Sequence, residues 1–182
     1  MFKCENNMGF SVVSTAVDEA NSIHSAGQIY RLIGEHRAYD MSTALPEYIS
    51  IKLCNFIMNN DINIKIYKPK WRWSKAYGYF SPANPHDINL NYYKLNRSVS
   101  SIVGTLYHEA THQCDNEDKI HSYGHGDNSP KGKANTAPYF IGNVASGLFK
   151  TNYDMNNTQD STYKLYVPWY KRLWGRIKKW IF

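Results

Sequence analysis

The sequence predicts an α+β fold: a small, mostly antiparallel twisted sheet with flanking helices, followed by a helix that carries the chemistry. Three observations predict it. Apolar residues recur at three- and four-residue steps over 14–35 and 42–59, as amphipathic helices require. The period then drops to two over Ile62–Tyr67 and again over 71–80, the signature of half-buried strands. Helical spacing returns after Ser98, on a stretch that holds two histidines four residues apart.

The elements follow in order. Residues 1–10 carry little pattern and are expected to be poorly ordered. Over 14–35 the apolar positions Val17, Ala20, Ile23, Ala26, Ile29, Tyr30 and Ile33 predict one amphipathic helix, with His24 and His36 as surface or capping residues. A second helix is expected over 42–59: Pro46 fits its first turn, and Leu45, Ile49, Leu53, Phe56 and Ile57 form its stripe. After the two alternating stretches, the turn-rich Ser81-Pro-Ala-Asn-Pro-His leads to a short third strand at 87–91.

The next helix is two-faced. Val99, Ile102, Val103, Leu106 and Ala110 fall on one side, and Ser101, Thr105, His108, Glu109 and His112 on the other. Ser98 is placed to cap it. Gly104, which costs about 1 kcal/mol in a helix interior, lies one turn before His108, where a bare backbone lets a neighbouring strand or substrate come close. Cys114 turns about 200° away from the His112 imidazole and is read as a buried or incidental residue. Residues 115–138 lose periodicity, and a connection of that length inside a compact domain is usually functional. A last core helix is expected over 139–149.

His108-Glu109-Ala110-Thr111-His112 is the motif H-E-x-x-H. Two imidazoles one helical turn apart can reach one metal ion, and the carboxylate beside the first can handle a proton on metal-bound water. This motif, set after a small sheet, resembles that of the zincin metallopeptidases. The resemblance covers the order of elements from 62 to about 127 and is strict over five residues. It implies a zincin-like fold, Zn2+ as cofactor, His108 and His112 as zinc ligands, Glu109 as general base and a protein or peptide as substrate. The implied activity is that of a zinc metalloendopeptidase, a hydrolase that attacks peptide bonds with zinc-activated water.

A third ligand is needed. No glutamate follows Glu117, so the zincin pattern with a distant downstream glutamate does not apply. The metzincin continuation H-x-x-G-x-x-H also fails, because Asp115 and Asp118 stand at those positions. The loop Tyr123-Gly-His-Gly-Asp127 remains, its glycines letting the chain fold back. His125 is the first choice, Asp127 the second and His121 the third. Tyr139 and Tyr123 are candidate oxyanion donors, since a phenol can hydrogen-bond developing charge.

Charge is unevenly placed. Residues 1–160 hold 15 basic and 15 acidic side chains, so the net charge of +6 belongs to residues 161–182. The chain is read as a metallopeptidase-like domain over 1–160 and a basic, tryptophan-rich amphipathic helix over 161–182, joined by a polar stretch after Lys150. Such a helix suits an anionic membrane surface, or docks on its own domain. With the basic aromatic cluster 65–75 it carries an alternative function, membrane or nucleic-acid binding with a structural or absent metal site, of which nucleic acid is the less favoured partner. Three scattered cysteines and no apolar leader predict a cytoplasmic setting, with membrane association through the tail.

Overall fold

The computed structural model describes residues 1–4, 10–70, 74–125 and 133–150. Asp127, Trp71, Trp73 and the 161–182 segment lie outside them. The described residues form helices α1 (Ser11–Ala26), α2 (Gln28–Gly34), α3 (Pro46–Asn59), α4 (Val99–Glu117) and α5 (Ala137–Lys150). Strands β1 (Phe2–Cys4), β2 (Ile62–Tyr67), β3 (Gly78–Ser81) and β4 (Asn84–Asn91) form one sheet in the order β1-β2-β4-β3.

The α+β class is as expected, but the sheet is mixed rather than mostly antiparallel. β1 pairs parallel with β2, β2 pairs parallel with β4, and only β3–β4 is antiparallel. Alternation reports a half-buried strand but not its direction. The segment between β2 and β3 is long enough to pass over one strand position, so β3 takes the edge and β4 returns between them.

Four further expectations are corrected. Residues 2–4 are ordered as β1, because the Phe2 amide donates to Asn21 Oδ1 at 3.0 Å, its carbonyl accepts from Asn21 Nδ2 at 2.9 Å, and its ring packs edge-on against Tyr107. Three residues are too few to show a period, so only these tertiary contacts reveal the strand. The helix expected over 14–35 breaks at Gly27, whose φ of 72° is left-handed and ends α1. The second helix begins at Pro46, later than Ser42. Of the stretch 71–80, the described part is 74–80, and there strand begins at Gly78.

The core lies between the sheet and the helices and centres on α4. Ile102, Val103, Leu106 and Ala110 are fully buried, joined by Ile62, Ile64, Ile88 and Leu90 from the sheet and Ile141 and Val144 from α5. Tyr107, also fully buried, donates its hydroxyl proton to the Ala20 carbonyl at 3.0 Å and ties α4 to α1. No helix among the described residues is long and apolar enough to cross a membrane.

Candidate metal centre

α4 positions the site. Ser98 caps it as expected, its hydroxyl accepting from the Ser101 amide at 3.3 Å. One helical turn apart, the His108 and His112 Nε2 atoms lie 3.3 Å from each other. Two nitrogens bound tetrahedrally at about 2.0–2.1 Å from zinc would lie about 3.3–3.4 Å apart. The pair is therefore already spaced as two ligands of one ion.

His125 completes the group. His108, His112 and His125 each offer a nitrogen, all within 4.8 Å of one another, and this is the metal-type cluster found among the described residues. Its ring lies 4.6 Å from that of His112 and 5.3 Å from that of His108, centroid to centroid. His121, the third choice, is not in the group and instead packs edge-on to Tyr48. Asp127 is outside the described residues.

The return of His125 has a physical cause. Gly124 has φ 75°, and a Cβ there would stand 2.6 Å from the Asp40 carbonyl oxygen, so the position admits only glycine without a shift. Just upstream, the Thr43 amide donates to the Ser122 carbonyl, and the Ser122 amide to Thr43 Oγ1, both at 2.9 Å. The Tyr123 amide donates to Asp115 Oδ1 on α4 at 2.9 Å. The loop is thereby tied to α4 and to the 40–43 segment.

α5 closes the other side. A Cβ at Gly104 would stand 2.7 Å from the Gly142 carbonyl oxygen, and one at Gly142 equally close to the Gly104 carbonyl. The neighbour that the bare backbone of Gly104 admits is thus a helix, not the strand or substrate expected. The contact brings Tyr139 against His108, ring centroids 4.6 Å apart, and stacks it on His125. Tyr139 is at the site; Tyr123 is not available to it. The Tyr123 side chain is fully buried, and its hydroxyl donates to Asp118 at 3.2 Å beside the buried Cys114 thiol.

Electrostatics suit neutral ligands and a proton-handling acid. Burial, with the neighbouring imidazoles adding to it, lowers the His108 pKa to about 3, while the Pro138 carbonyl accepts a hydrogen bond from the ring. Burial likewise lowers that of His112 to about 4. Such a carbonyl bond fixes the tautomer and leaves the other nitrogen for a metal. Glu109 is 8% exposed. Burial raises its pKa to about 7, against the opposing hydrogen bond from the Phe80 backbone. The Phe80 and Pro138 contacts are made by main chain, and no residue identity could have announced them.

Other expected features fall elsewhere. His24 bonds to the Tyr30 hydroxyl, and His36 Nε2 contacts Asn135 Oδ1 at 2.9 Å, so neither is a ligand. In the 65–75 cluster, Lys65 pairs with Asp87 at 2.7 Å and Tyr67 packs edge-on against Tyr79. The chain matches no protein-family model, no curated protein and no solved structure.

Proposed function

We propose that the chain is a zinc-dependent metallopeptidase with a zincin-like arrangement, in which His108, His112 and His125 hold the metal and Glu109 handles the proton. The observation that carries this reading is the convergence of three imidazoles beside a buried carboxyl. Among the described residues the cluster supplies three nitrogens, and three protein ligands with a fourth tetrahedral position for water are the pattern of a catalytic site.

Zinc, when bound, supplies a Lewis acid and lowers the pKa of its water toward 7. The other tasks fall to side chains. Glu109, the buried carboxyl beside the first ligand, takes a proton from the attacking water and returns it to the leaving amine. Tyr139, packed on His108 and His125, is the phenol assigned to the developing negative charge on the carbonyl oxygen. The Pro138 carbonyl orients His108.

β3 supports a peptide as substrate, because it is the outer strand of the sheet and lies against α4 at Glu109. An extended peptide can add to such an edge through main-chain hydrogen bonds.

The test is metal content together with hydrolysis of quenched-fluorescent peptides. The chain should hold about one zinc. His108→Ala, His112→Ala and His125→Ala should each lose it, and Asp127→Ala should keep it. Glu109→Gln should keep the metal and lose hydrolysis. Zinc content unchanged in the histidine variants would overturn the reading. Zinc held but no peptide cleaved would make the site structural.

A further inference from the structure

A guanidinium lies along the same face of α4 as the metal cluster. Arg97 directly precedes the cap residue Ser98, and its Nη1 donates to the Ser101 carbonyl at 2.9 Å, to Ser101 Oγ at 3.0 Å and to Thr105 Oγ1 at 2.7 Å. Its Nε and Nη2 are buried, and among the described residues neither has a hydrogen-bond partner. Those two N–H groups form the side-on fork that matches the two oxygens of a carboxylate. No carboxylate among the described residues pairs with the group, and the first turn of α4 contains no acid. The positive end of the helix adds to the unbalanced charge. Burial lowers the Arg97 pKa to about 10, which leaves it cationic at neutral pH.

Its position relative to the metal cluster is fixed by β3. The Tyr77 ring lies over the guanidinium at 4.6 Å, and a Cβ at Gly78 would stand 3.0 Å from Thr105 Cγ2. Arg97 is thus at the Gly78 end of the strand, while Glu109 is at Phe80. Two strand residues and four helix residues each span about 6–7 Å. The Asn91 amide donates to the Tyr77 carbonyl at 2.9 Å, which sets the antiparallel alternation: Tyr79 bonds toward β4, and the main-chain groups of Gly78 and Phe80 face away from it, with the Phe80 amide given to Glu109.

We propose that Arg97 is a specificity residue that binds a substrate carboxylate two residues beyond the bond to be cut. A peptide added to β3 runs either way, and the charge selects the direction. Antiparallel to β3, its C-terminal side runs toward Gly78 and Arg97; parallel, its amino end would meet the cation. About 6–7 Å of extended peptide is two residues. The carboxylate is a free C-terminus, so that the product is a dipeptide, or an Asp or Glu side chain at that position. Tyr77, 54% exposed, lies over the guanidinium, and the proposal requires its ring to shift as the carboxylate enters. The proposal rests on the peptidase reading for its substrate but not for its binding site.

Two measurements keep those apart. In the zinc-loaded chain, kcat/KM is compared for a quenched peptide ending two residues past the cut, for its C-terminal amide, and for an amide with aspartate there. The free acid, the aspartyl amide or both should exceed the plain amide about 10–100-fold, the range for a hydrogen bond to a charged group. The more favoured of the two identifies the source. The advantage should shrink in Arg97→Lys, which keeps charge without the fork, and fall near unity in Arg97→Gln, with the change in KM.

Independently, N-acetyl-Ala-Ala and its amide are titrated into the full chain carrying Glu109→Gln, followed by calorimetry or NMR. Binding of the acid that exceeds the amide and depends on Arg97 supports the site even where no peptide is cleaved. Equal affinity for acid and amide in the parent chain, or a preference that survives Arg97→Gln, overturns it whatever the hydrolysis assay shows.

Discussion

The rings of His125 and Tyr139 are stacked, their planes 8° apart and their centroids 5.1 Å apart. One comes from the loop after α4 and the other from the first turn of α5, so the third imidazole of the cluster is held by a contact between two separate segments. Replacing a partner that orients a metal ligand typically costs 10–100-fold in metal affinity. Tyr139→Ala should therefore weaken zinc binding by about 10-fold or more, read by competition with a chelator. Tyr139→Phe retains the ring and should hold zinc nearly as tightly while hydrolysing peptide more slowly. Equal zinc affinity in Tyr139→Ala would mean that the stack does not hold His125.

The approach of α4 to α5 depends on two facing glycines. At Gly104, alanine gains about 1 kcal/mol of helix propensity, yet its Cβ would stand 2.7 Å from the Gly142 carbonyl and 3.1 Å from Ser146 Cβ. Overpacking of this kind costs about 1–3 kcal/mol, so the clash outweighs propensity. Gly104→Ala should lower the urea midpoint and, by pushing Tyr139 away from His108, weaken zinc binding as well. Gly142→Ala should do the same, since its Cβ would also meet His108 Cβ at 3.2 Å. An alanine at either position that stabilises the chain would show that the helices separate without cost.

Gln113 presents the reverse case. It is 1% exposed, and among the described residues neither its amide nitrogen nor its oxygen has a partner. A buried polar group left unsatisfied costs about 1–3 kcal/mol. Gln113→Met, close in length and apolar, should raise the thermal midpoint and the urea midpoint. A fall in both would place an ordered water on that amide.

The grouping of His108, His112 and His125 was more legible in the sequence than the sheet beside it. Helical spacing put His108, Glu109 and His112 on one face, and the glycines around His125 marked the loop that returns. Strand direction was not legible, because alternation in Ile62–Tyr67 is the same for parallel and antiparallel neighbours. β1 was missed because its order comes from Asn21 and Tyr107, far along the chain. Arg97 was missed for a similar reason: one basic residue before a cap has no pattern, and its significance lies in which of its nitrogens are left over.

The raised pKa of Glu109 carries a stability cost in the metal-free chain. The ordinary value is 4.5 and the folded value about 7, so between them the unfolded chain ionises while the folded chain keeps its proton. The folded state then binds more protons, and stability falls as pH rises through that window. Below pH 4.5 the effect vanishes, and above 7 it is complete, at about 3 kcal/mol. Glu109→Gln has no such group and can still accept from the Phe80 amide. The metal-free variant should thus be the more stable chain at pH 8, with its advantage shrinking to nothing by pH 4. His108 and His112 act in the opposite sense: lowered to about 3 and 4, they stabilise above their ordinary pKa and lose that contribution as pH falls. Both chains should therefore lose stability on acidification below about pH 6, while the difference between them reports Glu109 alone. Urea unfolding of the two metal-free chains from pH 4 to pH 8 measures that difference, and a constant gap across the range would show that the carboxyl is not protonated in the fold.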